Sequence, residues 1–374
     1  MNNLNILHII DCANKGGAER EMCLISKEMS LRGHHIFLIH PPGKDTNQFS
    51  QLKSNTLTVV EYPLKQKNVF KTILFLNQFM RKNKIAIIHS HLYFSDFISF
   101  LARIGLFNVK HYITLHMYIL ASKPKIPIRK YQFYICAFFP YLFSKKIFAV
   151  SNDLCKHTSK YFLVSKKKII RIYNGLNFEE FTIDSNRVSE IRENYQIKEN
   201  DIVLLCLGLL TEEKGQSYIV DAIGTNLSEY KNIKCFLLGS DGGHEQFLRD
   251  KIKKYNCEDR IFLPGFQTDI CNWLKVSTIY VHPTLNDAMP LSLIEAMYLK
   301  RPVITTDLPT FEGFVTHQKT GLIVKKKSTV DLANAISLLI NNPSLYNEIK
   351  ENAYSFSLTN CSIKVTVDNI LENY

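Results

Sequence analysis

Short apolar runs that read as buried strands alternate along this chain with segments of helical periodicity, in two separate series. The first series opens with Asn5–Asp11, NILHIID, and passes a Gly16-Gly17 turn into a helix that stops before Gly33. A second strand follows, and then Leu57–Glu61, Ala86–His91, Lys110–Leu115 and Ile147–Ser151. Helical stretches at Val69–Arg81, Asp96–Ile104, Ile128–Phe143 and after Ser151 lie between and beyond them. The second series runs Ile202–Gly208, Lys234–Gly239, Arg260–Leu263, Thr278–Val281 and Val303–Thr306. Such alternation predicts parallel sheets covered by helices on both faces, because parallel strands need crossovers and a right-handed crossover helix packs back on the sheet. The expectation is an α/β chain of two doubly wound Rossmann-like domains, residues 1–180 and 196–358. A final segment, 359–374, is free to return to the first domain.

Charge separates the halves. Residues 1–180 carry 26 Lys and Arg against 10 Asp and Glu, whereas 181–374 carry 20 against 24, so the net +12 resides in the first half. A basic half suits an anionic partner or surface. No paired zinc ligands or aromatic-rich RNA-binding motifs accompany it, so nucleic acid is not expected. The nine cysteines are scattered, without C-x-x-C spacing or histidines at metal spacing, and read as reduced residues with no metal site. The first residues lack a basic n-region and a small-residue cleavage site, so the start reads as a strand and the chain is expected in the cytoplasm.

The stretch His282–Thr306, HPTLNDAMPLSLIEAMYLKRPVITT, concentrates the chemistry. A loop leads through Asp287 to Pro290, where a helix can begin, and Glu295 follows inside it. Unpaired N–H groups and the positive dipole end favour an anion at such a helix start. A carboxylate about a turn and a half further in can accept from hydroxyls beyond that anion. A sugar joined to a nucleoside diphosphate offers both.

This segment resembles the E-x7-E signature of GT-B glycosyltransferases of the retaining family 4, with Asp287 in place of the first Glu and Pro290, Glu295, Ala296 and Met297 at matching positions. Other stretches carry the same resemblance. GGAER from Gly16 is similar to the family's N-terminal loop. Asn174, Gly175 and Phe181 resemble the link that closes the first domain, TGLIV at Thr320–Val324 matches late in the chain, and GLLTEEKGQ from Gly208 is similar to its diphosphate loop. In that loop Lys214 and Gly215 are kept, but Leu209 stands where the family has an Arg.

The resemblance implies a retaining, metal-independent sugar transfer from a nucleotide diphosphate, with a UDP-sugar the expected donor and no further cofactor. It assigns catalysis to His116, Lys214, Asp287 and Glu295, with His91 behind His116. Donor contacts fall to Gly16, Gly17, Gly208, Lys214, Pro290, Leu291 and Glu295, and Gly239, Gly265 and Phe266, which follow strands, offer backbone and apolar surface for a nucleobase. It places the two domains facing each other across a cleft, and lets a donor phosphate oxygen take the acceptor proton. The implied acceptor is a lipid-linked glycan of the lipopolysaccharide or capsule type. Two rivals are a GT-B nucleotide-sugar epimerase and a non-catalytic nucleotide-sugar-binding subunit. Diphosphate release only in the presence of an acceptor separates transfer from epimerisation, and donor binding without turnover marks the binding subunit.

Between Ile119 and Lys146, Lys123, Lys125, Arg129, Lys130, Lys145 and Lys146 flank Tyr131, Phe133, Tyr134, Phe138, Phe139, Tyr141 and Phe143. Basic residues beside aromatics suit a membrane interface. The apolar run contains Pro140 and falls short of the ~20 residues that span a bilayer. The expectation is peripheral attachment to an anionic inner membrane face, with packing inside the first domain as the alternative.

Overall fold

The computed structural model describes residues 3–14, 16–43, 47–52, 54–65, 69–118 and 136–374. The chain divides into two compact units, residues 1–176 with 362–374, and residues 177–361.

The first unit holds a seven-stranded sheet: β1 (Asn5–Ile10), β2 (His35–His40), β3 (Leu57–Glu61), β4 (Ile87–His91), β5 (Lys110–Leu115), β6 (Lys146–Ala149) and β7 (Ile169–Arg171). Its order is β3-β2-β1-β4-β5-β6-β7 and every pairing is parallel. The helices are α1 (Gly17–Leu31), α2 (Asn47–Ser50), α3 (Val69–Lys82), α4 (Tyr93–Ala102), α5 over 136–143 and α6 (Asn152–Tyr161). Ser151 caps α6 by accepting from the Leu154 amide at 3.2 Å, which satisfies one orphan N–H of its first turn. Residues 128–135 of the expected helix before Phe143 lie outside the described residues. The Lys166–Lys168 run forms a single 3-10 turn leading into β7.

One helix of this unit comes from the end of the chain. Ser362 starts α14 (Ile363–Leu371), which packs on α1. Ile363, Val367, Ile370 and Leu371 join Ile25, Met29, Tyr112 and Phe148 in one buried cluster. Arg32 pairs with Asp368, and the Ile363 amide donates to the Leu176 carbonyl at 2.9 Å. Gly175 is where the backbones meet: a Cβ there would lie 2.4 Å from Thr366 Oγ1 and 2.8 Å from Ile363 Cα, so a larger residue would push α14 away. Full burial contributes about 1.5–3 kcal/mol per large apolar side chain, so α14 supplies a substantial share of this core.

The second unit holds β8 (Ile202–Leu207), β9 (Ile233–Leu238), β10 (Ile261–Gly265), β11 (Ile279–His282), β12 (Val303–Thr306) and β13 (Leu322–Val324). They form a parallel sheet of order β10-β9-β8-β11-β12-β13. Around it lie α7 (Ser185–Asn194), α8 (Gln216–Gly224), α9 (Glu245–Lys254), α10 (Ile270–Val276), α11 (Leu291–Tyr298), α12 (Thr329–Asn341) and α13 (Pro343–Asn360). Its core is continuous from Leu204 and Cys206 through Ile219, Ile223 and Leu237 to Ile336 and Ile349. Both sheets reverse their strand order once, between β1 and β4 and between β8 and β11. In open parallel sheets ligands bind beyond the carboxyl ends of the strands at that reversal. All nine cysteines are free thiols, five of them buried.

Candidate active site

In the second unit, β11 ends at His282, and the loop after it is fixed by hydroxyls from β12. Thr305 Oγ1 donates to the His282 carbonyl at 3.3 Å and Thr306 Oγ1 to the Thr284 carbonyl at 2.6 Å. The same loop is tied to the 3-10 turn Glu212–Lys214, whose Glu213 carbonyl accepts from the Leu285 amide at 2.7 Å and from Thr284 Oγ1 at 3.2 Å. These ties bring Lys214 and Asp287, 73 residues apart, into contact: Lys214 Nζ donates to Asp287 Oδ2 at 2.5 Å. His282 Nε2 reaches the same oxygen at 3.2 Å, and the Ala288 amide donates to Oδ1 at 3.1 Å. Burial alone would raise the Asp287 pKa, but the His282 bond and the Lys214 charge carry it below the ordinary carboxylate range. Burial holds His282 below its usual value, so it is neutral at pH 7. Asp287 is therefore a fixed anion that orients a lysine and a histidine.

Pro290 is the N-cap of α11, with extended ψ of 130°, and Leu291 is the first helical residue, one position later than a Pro at the first helical position would give. The cause is that Pro290 closes the loop pinned at Asp287, whose carbonyl accepts from Thr310 Oγ1 at 2.6 Å. Glu295 lies in the middle of α11 and is buried. Gly208, Gly239 and Gly265 stand in a row at the ends of β8, β9 and β10: the Gly208 amide donates to Leu238 and the Gly239 amide to Gly265. Phe266, just beyond, is half exposed. The Leu209 side chain is 49 % exposed, so the position has room for a longer residue.

In the first unit, Gly16 caps α1 and Gly17 begins it. Glu19 folds back over this turn, accepting from Cys12 Sγ at 2.9 Å and the Asn14 amide at 3.2 Å. Lys15, beside them, is outside the described residues. Asp11, after β1, is buried and paired with Lys65 at 2.8 Å. His116 follows β5, but both of its ring nitrogens are turned inward: Nδ1 lies 3.1 Å from Glu21 Oε2 and Nε2 lies 2.9 Å from His91 Nδ1. His91 in turn contacts His8 at 3.2 Å. The sequence reading missed His282, Asp11, Glu19, Glu21 and His8. Asp11 and His282 each stand at a strand's carboxyl end, a signal that was available. Glu21 and His8 are visible only once α1 and three strands are packed.

Residues 15–180 match the family described as Glycosyltransferase Family 4, and residues 188–356 match Glycosyl transferases group 1. The solved structure of Anabaena Alr3699/HepE in complex with UDP superposes with a TM-score of 0.85 at 17% identity, covering 99% of each chain. Among curated relatives, the uncharacterized glycosyltransferase MJ1059 of Methanocaldococcus jannaschii is 28% identical over 186 residues, half of this chain and 44% of that protein, so the chain spans less than half of that relative's length. The UDP-Gal:alpha-D-GlcNAc-diphosphoundecaprenol alpha-1,3-galactosyltransferase of Escherichia coli is 24% identical over 366 residues, 93% of this chain and 91% of that one. Two Rossmann-like domains of parallel sheet, with these structural likenesses, define the GT-B class. With both domains matched in chain order, the protein belongs to the GT-B glycosyltransferases.

Proposed function

We propose that this chain transfers a sugar from a nucleoside diphosphate, a UDP-sugar in the first instance, to a lipid-linked glycan, with retention and without a metal ion. The observation that carries the reading is the Lys214–Asp287–His282 cluster at the ends of β8 and β11, beside the start of α11. Lys214 has three donors, of which Asp287 takes one, leaving others for phosphate oxygens. With the positive end of α11, they favour the charge that develops on a leaving diphosphate. The UDP bound to HepE and the UDP-Gal and diphosphoundecaprenol in the name of the E. coli relative support this choice of donor and acceptor class. Glu295 is assigned to the hydroxyls beyond the diphosphate.

The test is titration with UDP and a panel of UDP-sugars, read by thermal shift, because a ligand that binds only the native state raises its melting temperature. Glu295→Gln keeps the shape of the side chain and removes its charge. It is expected to weaken UDP-sugar binding by about 1.5–3 kcal/mol, with the melting temperature of the free protein nearly unchanged. Wild-type affinity and turnover in that variant would remove Glu295 from the site. Leu209→Arg, at an exposed position, is expected to tighten UDP binding roughly tenfold through one new charged hydrogen bond; equal affinities in a calorimetric titration would show that this loop does not face the diphosphate.

Membrane attachment belongs to the same reading. No helix among the described residues is long and apolar enough to cross a membrane. Lys123, Lys125, Arg129, Lys130, Tyr131, Phe133 and Tyr134 lie outside the described residues. Of the rest, Tyr141 is core, correcting its place in an interfacial stripe, because it packs edge-on against buried Phe162. Phe139, Leu142 and Phe143 are exposed, and Phe100 stacks on Phe139 and Phe143. Arg103 donates to the Phe143 carbonyl and Lys168 to that of Leu142, so cations surround the end of α5. This aromatic patch with a basic rim supports binding to anionic liposomes, with each cation contributing about 1 kcal/mol. Changing Phe139 and Phe143 to Ser is expected to abolish co-sedimentation at low salt, and raising salt to weaken it in the wild type. Sedimentation indifferent to both would direct the search to a soluble acceptor.

A further inference from the structure

Five ionisable side chains form one continuous buried array in the first unit, and the sugar-transfer reading uses only one or two of them. His8 lies on β1, His89 and His91 on β4, His116 after β5, and Glu21 on α1; the three strands are neighbours in the order β1-β4-β5. His8, His89 and His91 are fully buried, and Glu21 is nearly so. Ligand atoms of His8, His89 and His91 lie within 4.8 Å of one another, close enough for a metal ion. His89, however, has both ring nitrogens engaged, Nδ1 with the Tyr374 hydroxyl at 2.5 Å and Nε2 with Thr114 Oγ1 at 2.7 Å. A metal would have to break one of those bonds, and among the described residues no carboxylate joins the three histidines to balance its charge. The remaining contacts make a line instead: Glu21, His116, His91, His8.

The direction of that line follows from its ends. A ring lone pair facing a carboxylate oxygen is repelled by it, so Glu21 favours the His116 tautomer with its proton on Nδ1. The contact is at ion-pair distance, 3.1 Å, but is not a hydrogen bond: that Glu21 oxygen is buried with no hydrogen-bond partner among the described residues, so the carboxylate acts on the ring through its charge. In that tautomer the His116 ring offers a lone pair at Nε2, which sets His91 as Nδ1–H; the same logic sets His8 as Nδ1–H toward His91 Nε2. The line then ends on His8 Nε2, which is buried with no hydrogen-bond partner among the described residues. A lone pair left dry costs less than a buried N–H or a buried charge. Burial also holds His8 and His91 far below the ordinary histidine value, consistent with neutral rings.

We propose that Glu21 is a positioning residue which, through this relay, fixes the tautomer and orientation of His116 and with them the backbone leaving β5. That backbone is pinned a second time two residues later, where the Tyr118 hydroxyl bonds Asp153. The His116 imidazole is thus an internal strut, and what it presents to a ligand is its backbone and ring edge. The role rests on the proposed sugar transfer, in which the backbone after β5 meets substrate; the relay itself does not.

The test uses the full chain labelled with 15N at histidine. Long-range proton–nitrogen correlation spectra at pH 7 are expected to give protonated Nδ1 and unprotonated Nε2 for His8, His91 and His116. In Glu21→Gln, whose amide can either donate or accept, the His116 and His91 signals should become a mixture of tautomers. In Glu21→Leu the fixed tautomer should be lost, and kcat should fall about tenfold with little change in the KM for the nucleotide sugar, Glu21→Gln lying between. Protonated Nε2 at His116 in the wild type, or an unchanged His116 pattern in Glu21→Leu, would overturn the relay. So would one equivalent of zinc bound tightly by the purified protein and lost in His8→Ala. The tautomer pattern is read without turnover, so a failure to find sugar transfer would leave the relay standing and remove only the proposed function.

Discussion

Acidification from about pH 6.5 to about pH 5 is expected to unfold the first unit in a single steep step. His8, His89, His91 and His111 are fully buried there. Burial lowers His8 and His111 to about 3 and holds His89 and His91 well below the normal value, with neighbouring histidines adding to the effect for the latter two. The unfolded chain binds their protons near the ordinary histidine value while the folded unit does not, so this stability is present above about pH 6.5 and is lost as the pH falls toward the folded values. Each proton taken up only by the unfolded chain costs about 1.4 kcal/mol per pH unit once the unfolded group is titrated. Asp96 and Asp11, whose carboxyls are pushed up chiefly by burial, act in the opposite sense. The four imidazoles contribute up to about 5 kcal/mol per pH unit, less what the two carboxyls return. That is large against the ~5–15 kcal/mol that holds an ordinary domain. Denaturant titrations at half-unit steps between pH 7.5 and 4.5 measure the slope, and a flat profile would mean that the four imidazoles are not dry. His111→Leu should reduce the slope by about one proton.

Substituting Gly239 by Ala should destabilise the second unit by about 3 kcal/mol or more. Its φ of +159° lies at the edge of what a side chain tolerates, and a Cβ would sit 2.0 Å from the Gly208 carbonyl oxygen and 2.7 Å from its carbon. These are backbone atoms that cannot swing aside, because just beyond the end of β8 the Gly208 amide is bonded to Leu238 and the Leu210 amide to Ser240. The end of β8 and the Leu209–Lys214 loop would have to move, so nucleotide affinity should fall with stability. Gly17→Ala is the matched comparison, since nothing lies within 4 Å of a Cβ there. It should melt as the wild type does. Equal melting temperatures for Gly239→Ala and the wild type would mean that β8 and β9 do not approach this closely at their ends.

The sequence by itself determined the elements and their class. Period-two and continuous apolar runs such as NILHII and IVLLCL are local signals, because a buried parallel strand needs apolar residues on both faces. It also marked Asp287 and Glu295 as candidate chemistry, since an acid, a proline and a second acid at fixed spacing around a helix start form one local unit, whereas Lys214 was marked only by the resemblance of its loop. Tertiary structure alone decided what those residues touch. That Asp287 holds Lys214, that His116 turns both nitrogens inward, and that Tyr374 reaches His89 across 285 positions are facts of packing between segments distant in the chain. Tyr141 and Phe143, two residues apart, ended in core and solvent for the same reason: on α5 they lie on opposite sides, and only the sheet beneath specifies which side is in. A sequence pattern fixes periodicity, but the direction of a polar contact depends on the partner that burial leaves within reach.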